Sequence, residues 1–196
     1  MGDCFYKRIE PKGSDDYFAT PPKAVRALCQ QVRFRPTVIE PCCGEGHISR
    51  TLEEFGYTVE SSDIVYRGFG KPGEHDFLES THEQLCGADI ITNPPYNMAQ
   101  QFIEHAIENS DKDAKIAMLL RLTFLESQKR KPLFEAYPLT AVYVFRSRIG
   151  CAKNGEFKVD SHGDLNVPSA VAYAWFLWDK SQFDVTPPSC FGLIKL

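Results

Sequence analysis

The sequence predicts an α/β fold in which a mainly parallel sheet carries helices on both faces. Three observations lead there. Short runs rich in β-branched and apolar residues recur along the chain. Stretches with three-to-four apolar spacing lie between them. Strands that alternate with helices in this way imply crossover units, and crossovers join parallel strands. The segment from Thr37 to Gly46 is one such unit at its start: a strand, a glycine turn, then a helix.

The elements follow in order. Thr20 before Pro21 is a helix start signal, a capping hydroxyl and then a proline at the first position, so a helix is expected over 21–32. A strand follows at 37–39, a helix at 48–55 and a strand at 58–62. Next come a short helix at 81–85 and a strand at 88–92. The stretch 98–108 has the clearest helical pattern, with Met98, Phe102, His105 or Ala106, and Ile107 near one face. A strand at 115–120, a helix at 127–137 and strands at 141–145 and 170–178 complete the series. The last two are joined by about twenty residues, 149–168, rich in Gly, Lys, Asn and Asp and without a helical pattern; a connection of that length points to function or mobility. If these two strands pair, they do so antiparallel at the sheet edge.

Bulk properties narrow the function. The 196 residues suit one domain, and 43% hydrophobic with 24% charged residues supports a packed core. The polar segment 1–14 is expected to be flexible. No apolar run approaches the roughly 18 residues of a membrane span, and the opening MGDCFYKRIEPKGSDDYF has no signal-peptide core. No membrane association is expected, and the expected location is the cytoplasm. The seven cysteines form no C-x-x-C pair and are odd in number, which argues against a zinc site and a disulfide framework. Buried reduced thiols are expected, and no metal. The net charge of −4 gives no overall basic surplus, so a nucleic-acid surface would have to be local.

Three segments carry chemistry. Glu40-Pro41-Cys42-Cys43-Gly44-Glu45-Gly46 ends the first strand. Gly44 and Gly46 allow a tight turn and close approach of a ligand to backbone, at the strand end where open parallel sheets bind ligands. The pattern is not the dinucleotide one, because Ser49 stands at the third glycine position. Asp63 ends the second strand, placed to accept from ribose hydroxyls or to cap a turn. Asp76 could read an adenine amine, with Phe77 against the ring, or could cap the next helix. The third segment is Asn93-Pro94-Pro95-Tyr96. An amine on an aromatic ring or amide is a poor nucleophile, and holding both N–H groups by acceptors turns its lone pair toward an electrophile. The Asn93 side-chain oxygen and the Pro94 carbonyl can be those acceptors. Pro94 and Pro95 fix φ, and Asn93 is held extended by the proline after it. Tyr96 can stack on a planar substrate.

These segments resemble the motifs of the S-adenosylmethionine-dependent amino-methyltransferases. Glu40 to Gly46 looks like their motif I, and Asn93 to Tyr96 like motif IV. The segment Asp15 to Pro22 is similar to motif X, which folds over the methionine part of the cofactor. The order is that of the gamma arrangement of adenine-N(6) DNA methyltransferases, most like small phage or prophage types. The resemblance covers roughly residues 15 to 97. It implies a Rossmann-like class I methyltransferase fold, a mostly parallel seven-stranded sheet with an antiparallel last strand. It implies S-adenosylmethionine as cofactor, held by Tyr17, Phe18, Thr20, Pro21, Glu40, Pro41, Cys42, Gly44, Gly46, Asp63, Asp76, Phe77 and Asn93. It implies methyl transfer to adenine in DNA, catalysed by Asn93, Pro94, Pro95 and Tyr96. RNA adenine, a protein glutamine amide, or a non-catalytic binding module are the alternatives.

The substrate surface is expected from Tyr96 and from local cations. Lys129, Arg130 and Lys131 form a basic cluster, and Arg121, Arg146 and Arg148 lie near the same edge, with Lys153 and Lys158 in the long loop. The alternative reading is a solvated face. Gamma enzymes usually carry a separate target-recognition domain after motif IV, whereas 100 residues follow Tyr96 here and the sheet uses most of them. Discrimination would come from the 149–168 loop or from a protein partner. Trp175 and Trp178 are expected in packing.

Overall fold

The computed structural model describes residues 17–159, 163, 165–183 and 190–194. The segment expected to be flexible, 1–14, lies outside them, as do Asp15 and Asp16. Seven strands form the main sheet: β1 (Thr37–Glu40), β2 (Thr58–Ser61), β3 (Asp89–Thr92), β4 (Lys115–Arg121), β5 (Ala141–Phe145), β6 (Tyr173–Asp179) and β7 (Cys190–Ile194). Their order is β7-β5-β6-β4-β3-β1-β2. β1 pairs parallel with β2 and β3, and β3 with β4.

The antiparallel strand is β6, and it lies inside the sheet between β4 and β5 rather than at its edge. The edge is taken by β7, parallel to β5, a strand that the apolar runs did not indicate. Every residue of β6 is buried, because both of its faces and both of its edges are covered. Trp175 and Trp178 sit there fully buried. Their indole N–H groups donate to the carbonyls of Ala24, at 2.9 Å, and Tyr137, at 3.2 Å.

Among the described residues five helices flank the sheet: α1 (Pro22–Gln31), α2 (His47–Glu54), α3 (His82–Leu85), α4 (Ala99–Asn109) and α5 (Lys131–Ala136). Alternation along the strands sends successive residues to opposite faces. Val38, Ile91, Leu119 and Trp175 pack with Leu28 of α1 and Leu52 of α2 on one face. Ile39, Ile90, Met118 and Phe176 pack with Phe102 and Ile103 of α4 and Leu133 of α5 on the other.

Two helix starts differ from expectation. The helix expected over 127–137 begins at Lys131, after 3₁₀ turns at Leu122–Glu126 and Gln128–Arg130. Pro132 is the reason: a proline has no N–H to give and fits only the first turn. Thr20 does not cap α1. Pro21 occupies the cap position with no side-chain hydrogen bond, and the Thr20 hydroxyl is used elsewhere.

The long connection contains two small ladders. Ala152–Lys153 pairs antiparallel with Phe18–Ala19, and Lys158–Val159 pairs with Leu165–Asn166. Cys29, Cys42, Cys43, Cys86 and Cys151 are free thiols, and Cys86 is exposed rather than buried. No helix among the described residues is long and apolar enough to cross a membrane.

Candidate active site

Parallel pairing places the ends of β1, β2, β3 and β4 along one edge of the sheet, where loops can converge. Glu40 is the last residue of β1, and the turn after it reverses the chain into α2. Gly44 has φ +53° and Gly46 has φ +83°, both left-handed conformations that favour glycine. A second constraint acts on both. A Cβ at Gly44 would overlap the Tyr17 ring, and one at Gly46 would overlap Phe69.

The turn is pinned from the next strand. The Gly44 N–H donates to Asp63 Oδ2 at 2.8 Å, and the Cys43 N–H donates to the Ser62 carbonyl at 3.0 Å. The other Asp63 oxygen accepts from the Val65 N–H at 3.0 Å, with the Arg67 guanidinium at 3.5 Å. Asp63 thus joins the first two loops of the site.

Ser49 has a use that its departure from the glycine pattern did not reveal. Its hydroxyl donates to the Glu40 carboxylate and meets the Ser61 hydroxyl at 2.6 Å. Burial, opposed by the Ser49 bonds, raises Glu40 to about 8.

A strap from residues 17–20 lies across these loops. The Tyr17 hydroxyl accepts from the Glu45 N–H at 3.1 Å and meets His47 Nδ1 at 3.3 Å, while Arg67 lies 4.8 Å from the Tyr17 ring centre. The Asn154 N–H donates to the Tyr17 carbonyl at 2.8 Å, so the long connection holds the strap down. Burial pushes the Tyr17 phenol up to about 12.

Asn93 follows β3 and meets the strap from below. Its Nδ2 donates to the Phe18 carbonyl at 2.9 Å and to the Thr20 hydroxyl at 3.1 Å. A carbonyl oxygen can only accept, which fixes the amide orientation. The Asn93 Oδ1 atom is therefore turned away, buried and without a hydrogen-bond partner among the described residues. Buried polar atoms are rarely left so. The space beside it, between Tyr17, Phe18, Thr20, Glu40, Cys42 and Asn93, has a volume of only about 10 Å³. A nucleoside-sized ligand does not fit this space as it stands.

Tyr96 sits among rings. Its centroid is 6.2 Å from Phe18 and 5.8 Å from Tyr173, and the Arg121 guanidinium lies 4.9 Å from it. Arg121, expected on a phosphate, instead covers this ring from the end of β4.

The remaining residues fall in different places. Pro94 is buried and Pro95 exposed. Asp76 caps a 3₁₀ turn, Phe77–Glu79, by accepting from the Leu78 N–H at 2.9 Å. Phe77 is 5% exposed and packs against Phe102 and His105, so its ring belongs to the core and not to an adenine site. The basic cluster is largely engaged. Arg130 donates to the Phe124 carbonyl at 3.0 Å and lies over the Phe124 ring, and Lys131 pairs with Glu135. Arg148 donates to the Ala170 carbonyl at 2.8 Å, and Lys129 is exposed. The Cys151 sulfur lies 4.0 Å from Asn93 Nδ2, and nothing in the sequence pointed to Tyr173 or Cys151 at the site. Tyr173 lies in a strand that reads as core, and Cys151 in a loop of small residues.

This chain is similar in structure to several solved proteins. One is a Listeria monocytogenes protein described as a class I S-adenosylmethionine-dependent methyltransferase, with TM-score 0.54 and 14% identity over 89% of this chain and 62% of that one. Another, from Pyrococcus horikoshii, is described as an RNA methyltransferase, with TM-score 0.52 and 12% identity over 80% of this chain and 79% of that one. The fold is that of the class I S-adenosylmethionine-dependent methyltransferases. A Thermotoga maritima S-adenosylmethionine-dependent O-methyltransferase shares the class I fold at TM-score 0.52 and 14% identity, over 81% of this chain and 65% of that one. A shared fold does not fix the acceptor atom, which local residues must select. The chain spans about three fifths of the length of the Listeria protein. No family profile matches the sequence, and no curated protein is similar to it in sequence.

Proposed function

We propose that this chain is an S-adenosylmethionine-dependent methyltransferase acting on the exocyclic amine of adenine in DNA. The observation that carries the reading is the buried, unpartnered Oδ1 of Asn93, held in place by the bonds of Nδ2 to the Phe18 carbonyl and the Thr20 hydroxyl. A buried acceptor without a donor calls for an N–H from a ligand.

Tyr17, Phe18, Thr20, Glu40, Cys42 and Asn93 surround the space that would hold the cofactor, and Asp63 with Gly44 and Gly46 shapes its floor. The glycine cradle and the buried acceptor suit a cofactor with a nucleoside and a cationic end. When bound, S-adenosylmethionine supplies an activated methyl group. The protein's part is positional. Asn93 Oδ1 accepts one N–H of the substrate amine, and the Pro94 carbonyl accepts the other. Both directions are fixed, so the nitrogen lone pair is presented to the methyl group without a strong base. The proton released after transfer goes to solvent along the same contacts. The Tyr96 ring supports the planar base from the side.

The test is transfer of labelled methyl from S-adenosylmethionine to duplex DNA, single-stranded DNA, RNA and a protein lysate, with analysis of the product nucleosides. N(6)-methyladenine from DNA is expected. Label in RNA would favour the second reading, which the structural likeness to the Pyrococcus protein described as an RNA methyltransferase supports. Label in a glutamine side chain would move the substrate to protein and keep the Asn93 chemistry.

A further inference from the structure

A second cavity, of about 240 Å³, opens beside the Tyr96 rings. Its wall includes Leu122, Phe145, Arg146, Ser147, Arg148 and Tyr173. Two of these join it to the site already described. Tyr173 lies 5.8 Å from Tyr96 by ring centres, and Leu122 directly follows Arg121, whose guanidinium covers Tyr96.

The charge of the lining is one-sided: Arg146 and Arg148 stand with Ser147 and Tyr173 among five apolar residues, and no acidic residue lines the cavity. Arg146, Ser147 and Arg148 are all exposed, and among the described residues neither arginine has a carboxylate partner. Arg148 is oriented by its 2.8 Å bond to the Ala170 carbonyl, which leaves most of its donors unused. Two other cations near this edge are tied down, Arg130 to Phe124 and Lys131 to Glu135, while Lys129 is exposed. The volume falls below the range of sites that enclose a whole cofactor-sized ligand. It suits a compact anion beside the two arginines.

We infer that this cavity is the subsite for a phosphodiester group of the polynucleotide, next to the nucleotide presented to Asn93. It rests on the nucleic-acid reading above and adds what that reading lacks, a built anchor for the backbone. The anchor sits one ring away from Tyr96, so it sets which nucleotide along the strand reaches the catalytic loop. It also separates a polymer from a free nucleoside, because only the polymer places a phosphate in the cavity while its base is at Tyr96.

The experiment uses single-stranded DNA oligonucleotides with one adenine and one neutral methylphosphonate linkage, placed in turn at each position. Binding is read by fluorescence anisotropy and methyl transfer by label, for the wild type and for R146A/R148A. One neutral linkage near the adenine should weaken wild-type binding about tenfold, as expected for loss of a charge-assisted contact. R146A/R148A should lose affinity by a similar factor, become insensitive to that linkage and show a shallower salt dependence. R146K/R148K should recover part of the sensitivity, and S-adenosylmethionine affinity should be unchanged in both variants. Wild-type indifference to every linkage, with methyl transfer to DNA intact, would overturn the subsite and spare the catalytic reading. Linkage-dependent binding that R146A/R148A abolishes, with no methyl transfer to adenine, would uphold the subsite and overturn the catalytic reading.

Discussion

The Asn93 side chain donates to the Phe18 carbonyl across 2.9 Å, joining two segments 75 residues apart. This bond ties the Asn93 loop to the strap of residues 17–20. Under the function proposed above, it is the contact that aims the Asn93 amide.

Asn93→Ala should therefore lower methyl transfer by roughly 10²–10³-fold, the scale for losing one positioned polar group in an active site. S-adenosylmethionine binding by calorimetry should stay within about tenfold of the wild type. Unchanged turnover would remove Asn93 from the chemistry.

Thr20→Val removes one of the two oxygen partners of Asn93 Nδ2, at 3.1 Å, and keeps the side-chain shape. A hydrogen bond contributes about 1 kcal/mol, so kcat should fall about fivefold, while the KM for the nucleic acid moves little. Loss of stability with unaltered kcat would mark Thr20 as structural only.

The Tyr96 ring, close to Phe18, Tyr173 and Arg121, is read as a stacking surface. Tyr96→Phe should keep most activity because it keeps the ring. Tyr96→Ala should lose about ten- to hundredfold in kcat/KM, the range for one base–aromatic stack. Equal losses in the two variants would shift the role from the ring to the hydroxyl.

Gly44 is constrained both by φ +53° and by the Tyr17 ring above it. Gly44→Ala should destabilise the fold by more than about 1 kcal/mol and weaken cofactor binding. Adding Tyr17→Ala should relieve the overlap but not the backbone strain, so denaturant unfolding should give a coupling energy of about 0.5–3 kcal/mol. Strict additivity would mean that the two groups do not press on each other.

Glu40 makes stability depend on pH. Burial raises it from 4.5 to about 8 in the folded protein. Between those values the folded state holds the proton more tightly than the unfolded chain, so stability falls as pH rises through that window. Glu40→Gln removes the contribution and keeps an oxygen for Ser49. The Tm difference between variant and wild type should grow in the variant's favour from pH 5 to pH 8.5. Parallel Tm curves across that range would refute the assignment.

Much of the fold was legible because it rests on local patterns. The β-branched runs at 37–39, 58–62 and 141–145 lie within a residue of the strands they predicted, and 98–108 lies within one residue of α4. The place of β6 between β4 and β5 was not legible, since strand order depends on which edges remain open once the helices have packed. Phe77 and Thr20 misled for the same reason. A phenylalanine before a turn reads equally well as a ligand contact or as core, and its contact with Phe102 decides it. A threonine before a proline reads as a cap until its hydroxyl meets Asn93.

By itself the sequence determined the alternation of strands and helices, the glycine turn at Gly44 and Gly46 and the backbone limits on Asn93-Pro94-Pro95. Each follows from torsional preferences and from apolar spacing within a few residues. Only the tertiary structure decided that Asn93 keeps a buried, unpartnered oxygen and lines the space beside Glu40. Only it placed Tyr17 over Gly44 and brought Arg146 and Arg148 beside Tyr173. Those relations join residues about 25 to 75 positions apart, and their free energies exist only once the chain between them has closed and water has been expelled.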